Sequence, residues 1–125
     1  MDLSKLESQI GVVFNDKDLL EQALVHRSYL NENPRYRLSH NERLEFLGDA
    51  VLELVVTEAL YRTYPEKPEG ELTSLRAALV NANMLSDIAV GLDLNNFLLL
   101  SRGEARDVGR ARQFILANAF EALVG

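Results

Sequence analysis

The run His40-Asn41-Glu42-Arg43-Leu44-Glu45-Phe46-Leu47-Gly48-Asp49-Ala50-Val51-Leu52-Glu53-Leu54-Val55-Val56 constrains the fold more than any other stretch. At the helical repeat of about 100° per residue, Leu44, Leu47, Val51, Leu54 and Val55 share one side, with Glu42, Glu45 and Asp49 opposite. Beyond Val51 the segment is apolar nearly all round, which predicts a helix running through the interior. Asn41 or Ser39 is placed to cap its start, and the early glutamates suit the positive end of the helix dipole. Gly48 costs about 1 kcal/mol relative to alanine inside a helix, so something is expected to approach the backbone closely there. Phe46 falls off the apolar stripe, beside the acids, where an isolated subunit would leave a large ring in water. Its position predicts a contact with a partner.

Three acids on one helix face have an ordinary reading as solvated surface and a chemical one as a cation or catalytic site. On an interior helix they are costly to desolvate unless something positive meets them.

The remaining chain is also helical in pattern. Leu3, Leu6 and Ile10 open one helix, stopped near Gly11, and Asn15 or Asp16 caps a second carrying Leu19, Leu20, Ala23, Leu24 and His26. A lone histidine at a helix end reads as a packing or capping residue, with metal ligation the alternative. Residues 31–39 form a loop around Pro34, and Arg35, Arg37, His40 and Arg43 make it a candidate phosphate contact or a solvated polar loop. Tyr64-Pro65 ends the central helix. A fourth helix is expected from about Glu71, with Leu72, Leu75, Ala78 and Leu79 inward and Arg76 outward or paired with an acid. A fifth restarts at Asn81 or Asn83 and ends at Gly91 as its C-cap. Arg102, Arg106, Arg110 and Arg112 form a second positive patch before a final helix from near Ala111. With strand signals weak throughout, the fold class is all-α.

Composition narrows the function. The 125 residues make one domain, and the absence of cysteine excludes disulfides and thiolate zinc sites. No apolar run reaches the length of a membrane span and no signal sequence opens the chain, so a cytoplasmic protein with no membrane partner is expected. Nineteen acids against 13 lysines and arginines, a net charge of −6, oppose tight nucleic-acid binding by bulk electrostatics. A polyanionic partner would need divalent cations, a local basic patch or a separate binding module.

The central ERLEFLGDAVL closely resembles the signature of the ribonuclease III family. FNDKDLLEQALVHRSYLNEN, PEGELTSLRAALV and LSRGEARDVGRARQFILANAFEALVG follow in that family's order and approximate spacing, so the likeness covers nearly the whole chain. It implies a helical catalytic domain over residues 1–125, with the last helical part missing and no double-stranded-RNA-binding domain in this chain. It further implies a homodimeric endoribonuclease that cleaves double-stranded RNA to 5′-phosphate and 3′-hydroxyl ends with short 3′ overhangs. Processing of rRNA and mRNA precursors is the implied setting. By position, Glu45, Asp49 and Glu121 match the catalytic, metal-binding acids. Asn118 falls at a further metal position where the family usually has aspartate. Glu42 and Glu69 match supporting or RNA-contacting acids, and Phe46 matches a ring that inserts into the other subunit. The implied cofactor is Mg²⁺, with Mn²⁺ as substitute and no organic cofactor.

Hard cations held by carboxylates suit phosphodiester hydrolysis, and they turn an acidic cleft into one that accepts phosphate. The neutral Asn118 keeps open a second reading, a non-catalytic RNA-binding or structural dimer with weakened metal affinity. An acidic helical dimerisation module is a third.

Overall fold

Side-chain chemistry at the helix ends sets where the elements start and stop in the computed structural model, which describes residues 1–125. Helix α1 (Ser4–Ile10) ends at Gly11, whose φ of 76° is the left-handed conformation that glycine adopts without a Cβ clash. Asp16 opens α2 (Lys17–Ala23) by accepting from the N–H groups of Asp18 and Leu19 at 3.0 and 3.3 Å. The expected continuation of α2 through Leu24 and His26 does not occur. Leu24 and Val25, both fully buried, leave the helix to pair in parallel with Leu99. The Leu99 N–H donates to Leu24 O at 2.9 Å and the His26 N–H to Leu99 O at 3.0 Å.

His26 instead opens a short unexpected helix, α3 (Arg27–Glu32), whose last two residues fall within the expected 31–39 loop. Its Nδ1 accepts from the Ser28 N–H at 3.2 Å and lies 2.7 Å from Ser28 Oγ, which accepts from the Ser101 N–H at 2.9 Å. Capping is therefore the role His26 plays, on the following helix.

Helix α4 (Glu42–Thr63) has 22 residues. Neither Asn41 nor Ser39 caps it through a side chain. The buried Asn41 instead turns its amide to Ala23 O at 2.9 Å, fastening the start of α4 to the end of α2. Helix α5 (Glu69–Leu79) starts two residues earlier than expected, and Leu79 and Ala78 are exposed rather than inward. Arg76 pairs with Glu53 of α4 at 3.2 Å and donates to Thr57 at 3.0 Å. Asn81 caps α6 (Ala82–Gly91) by accepting from the Met84 N–H at 2.9 Å. Gly91 is the last helical residue and not the cap; Leu92 takes that place, and Asp93 reverses the chain at φ 63°. A 3-10 turn (Leu94–Asn96) and the short α7 (Arg102–Arg106), capped by Ser101, lead into α8 (Arg110–Val124).

The core gathers Leu3, Leu6, Leu20, Leu24, Ala89, Leu94, Leu116 and Ala119, from α1 and α2 with their flanking residues, α6, the 3-10 turn and α8. Burying such side chains contributes about 1.5–3 kcal/mol each for the larger ones. The helix through the interior is thus α8, packed on α6 on one side and α4 on the other. This corrects the expectation for α4, in which only Gly48 and Leu60 are buried. Leu47, Leu54 and Val55 of its apolar stripe are at least half exposed in the single chain. Leu44 and Val51 of the same stripe are half-buried, so the periodicity identified a shared face, of which this chain leaves the larger part uncovered.

Candidate functional site

The site forms where α4 and α8 touch backbone to backbone. A Cβ on Gly48 would lie 1.6 Å from Glu121 O and 2.9 Å from Gly125 N, and one on Gly125 would lie 2.3 Å from Leu44 O. The close approach predicted from Gly48 is present, and it brings Asp49 of α4 to Glu121 of α8.

Glu121 is buried, 9% exposed, and its carboxyl reaches hydrogen-bond distance of Asp49. Burial, that hydrogen bond and the charges of Asp49, Glu45 and Glu53 together push its pKa up to about 8. Glu45, one turn before Asp49, is half-buried. Its pKa is raised by burial and then by the charges of Glu42 and Asp49. None of Glu45, Asp49 and Glu121 takes part in an ion pair with a lysine, arginine or histidine. Acids brought together without a cation hold a proton in place of one.

The other expected residues are distributed differently. Asn118 is half-buried on α8, three residues before Glu121 and so on a neighbouring part of the same face. Glu42 shares the acidic side of α4, but Arg27 grips it in a bidentate pair at 2.7 and 3.0 Å, with His40 at 3.3 Å. Glu69 begins α5 and lines a small cavity with Tyr61 and Arg76, and it is not among the charges that act on Glu121. Phe46 is 83% exposed. Glu53 was missed by sequence reasoning, although it continues the Glu45, Asp49 register by a further four residues. Of the first basic patch, Arg37 is engaged by Asp18 and Glu21 at 2.7 and 2.9 Å, leaving Arg35 and Arg43 without ion pairs.

No three acid or histidine side chains close on one point as a preformed metal cage within the single chain. Asp49 and Glu121 do meet, with Glu45 close enough to act on Glu121. The donors are all hard oxygens, Glu121 has no positive partner, and its retained proton is one a divalent cation would displace. These residues fit a hard divalent cation.

Comparison with known proteins agrees with the geometry. A family model described as Ribonuclease-III-like matches residues 16–125. Ribonuclease 3 of Oceanobacillus iheyensis is 52% identical over 125 residues, covering 100% of this chain and 55% of that protein. Ribonuclease 3 of Enterococcus faecalis is 49% identical over 122 residues, covering 98% and 53%. The chain therefore spans about half the length of these relatives. Among solved structures, the nuclease domain of ribonuclease III from Campylobacter jejuni superposes with a TM-score of 0.87 at 43% identity, covering 98% of this chain and 81% of that one. A signature helix, an opposing acid-bearing helix and whole-chain similarity lead to one assignment: the chain belongs to the ribonuclease III family.

Proposed function

We propose that this chain is the nuclease domain of a divalent-metal-dependent endoribonuclease, acting as a homodimer on double-stranded RNA. Its products carry 5′-phosphate and 3′-hydroxyl ends with short 3′ overhangs, and rRNA and mRNA precursors are its natural targets. The observation that carries this reading is the buried Glu121 carboxyl held against Asp49 with no positive side chain to neutralise either.

Glu45, Asp49 and Glu121 would hold Mg²⁺, with Mn²⁺ as substitute and Asn118 offering a neutral oxygen. A cation held there would supply charge for the phosphoryl oxygens and would make water a competent nucleophile. Burial limits screening by bulk water at the Glu121 carboxyl, while Asp49 beside it stays exposed and within reach of solvent. The Gly48 crossing fixes their separation, because neither helix can slide without a backbone clash. Glu42, held by Arg27, and Glu69, at the first turn of α5, support the site or meet RNA at its rim.

One exposed side of α4 supports the dimer. Phe46, Leu54 and Tyr61 lie within about 80° of one another around the helix and are 66–83% exposed, more large apolar surface than one helix of a monomer commonly leaves in water. The Campylobacter jejuni nuclease domain is described as having a region involved in dimer formation, which is consistent with this use of the face.

The test is incubation of the purified chain with a long RNA duplex, with Mg²⁺ and with chelator. Cleavage only with Mg²⁺, abolished by Glu121→Gln in a folded protein, is expected. Duplex binding in Ca²⁺ with no cleavage in Mg²⁺ would instead establish the non-catalytic reading that the neutral Asn118 favours. Neither binding nor cleavage would leave a dimerisation module.

A further inference from the structure

We propose that the cavity between α6, the 3-10 turn and the start of α8 binds a phosphate monoester or free phosphate. This inference does not rest on the nuclease reading. The cavity has a volume of about 530 Å³, and no carboxylate lines it in a chain of net charge −6. Ser86, Asn95, Arg110, Arg112 and Gln113 supply its polar wall.

The 15-residue α8 begins here with no side-chain cap on Gly109. The N–H groups of Arg110 and Ala111 have no protein partner, and the positive end of the helix dipole faces the same region. Independently, Ser86 is only 6% exposed, lines the cavity and makes no hydrogen bond through its hydroxyl. Its oxygen keeps a sliver of accessible surface on the cavity wall and is free to pair with a ligand oxygen.

The two guanidiniums are held by neutral groups. Arg112 donates to Asn95 Oδ1 at 2.9 Å and to the carbonyls of Glu104 and Ala105 at 3.0 and 3.1 Å, while its Nε is buried without a partner. Arg110 lies over the Phe114 ring at 5.8 Å and has no carboxylate partner. Their charge is therefore available to an anion.

Depth selects the ligand. With Ser86 more than nine-tenths covered, a terminal or free phosphate reaches its side chain more readily than a phosphodiester on a rigid duplex. A dianion also matches two guanidiniums better than a monoanion.

The test is an amide NMR titration of the chain at constant ionic strength, following Arg110, Ala111 and Gln113. The probes are inorganic phosphate, a 5′-phosphorylated dinucleotide and a hydroxyl-ended RNA duplex. Saturable shifts with the first two are expected, each weakened about tenfold by Ser86→Ala and by Arg110→Gln, as for loss of a charge-assisted hydrogen bond. Melting curves establish that both variants are folded. Tighter binding of the dinucleotide assigns an RNA 5′ end as ligand, and equal binding assigns free phosphate. Absence of saturation overturns the proposal, as do unchanged affinities in both folded variants. Displacement of phosphate by the hydroxyl-ended duplex as effective as by the dinucleotide also overturns it, because the site would then take a backbone phosphodiester.

Discussion

Gly48→Ala pits two physical effects of opposite sign against each other. Helix propensity alone favours alanine by about 1 kcal/mol in the middle of α4, so the variant should be more stable. The structure demands the reverse. The added methyl would sit 1.6 Å from Glu121 O and 2.5 Å from its carbonyl carbon, and both belong to backbone that cannot rotate away. Restoring ordinary contact requires α4 and α8 to part by roughly 2 Å, which opens gaps along a close-packed interface. Overpacking of a core costs about 1–3 kcal/mol, and a clash with backbone belongs at or above the top of that range. After the propensity gain, a net loss of about 2 kcal/mol or more is expected, lowering the melting temperature by about 6 °C or more. Urea and thermal melts followed by circular dichroism, at one fixed protein concentration with chelator, measure it. A midpoint equal to or above that of the parent would refute the backbone-contact argument and return Gly48 to an ordinary helix position.

Other outcomes follow from the same geometry. Without metal, stability should fall as pH rises from 4.5 towards 8, because folded Glu121 keeps its proton to about 8 and the unfolded residue does not. The slope is at most about 1.4 kcal/mol per pH unit, and Glu121→Gln should remove it; a flat profile in the parent would disprove the burial argument. Phe46→Ala should shift the chain towards monomer in sedimentation with helical content unchanged, so a fully dimeric variant would count against the α4 face as the contact. Asn118→Asp should lower the Mg²⁺ concentration needed for duplex cleavage, and an identical titration would show that position 118 does not meet the cation.

Much of this architecture was legible because it depends on local chemistry. The Asp16 and Asn81 caps, the Gly11 stop and the end of α4 at Tyr64-Pro65 each follow from the demands of a few adjacent atoms. Gly48 was readable for a different reason: a residue that weakens a helix interior needs a compensating contact, and Glu121 supplies it. The errors arose where a pattern states which residues share a face but not what covers that face. The stripe of Leu47, Leu54 and Val55 was assigned to the interior, yet α8 occupies that place and the stripe remains exposed. Asn41 looked like a cap because its residue type favours one, while a long-range partner, Ala23 O, claimed its amide. Glu42 and Glu45 were indistinguishable on the helical wheel until Arg27 engaged one of them. Helix α3 spans only six residues, too few for a period to register.

Ser28 gives the hydrogen bonds around His26 a direction. Its hydroxyl accepts from the Ser101 N–H and lies 2.7 Å from His26 Nδ1, which receives the Ser28 N–H. With Nδ1 accepting from the Ser28 N–H, the neutral imidazole carries its hydrogen on Nε2; an added proton on Nδ1 would face that fixed backbone donor, while burial already pulls the His26 pKa down. Acidification should accordingly unfasten the start of α3 from the segment entering α7, turning this junction into a latch that closes only while the ring stays neutral.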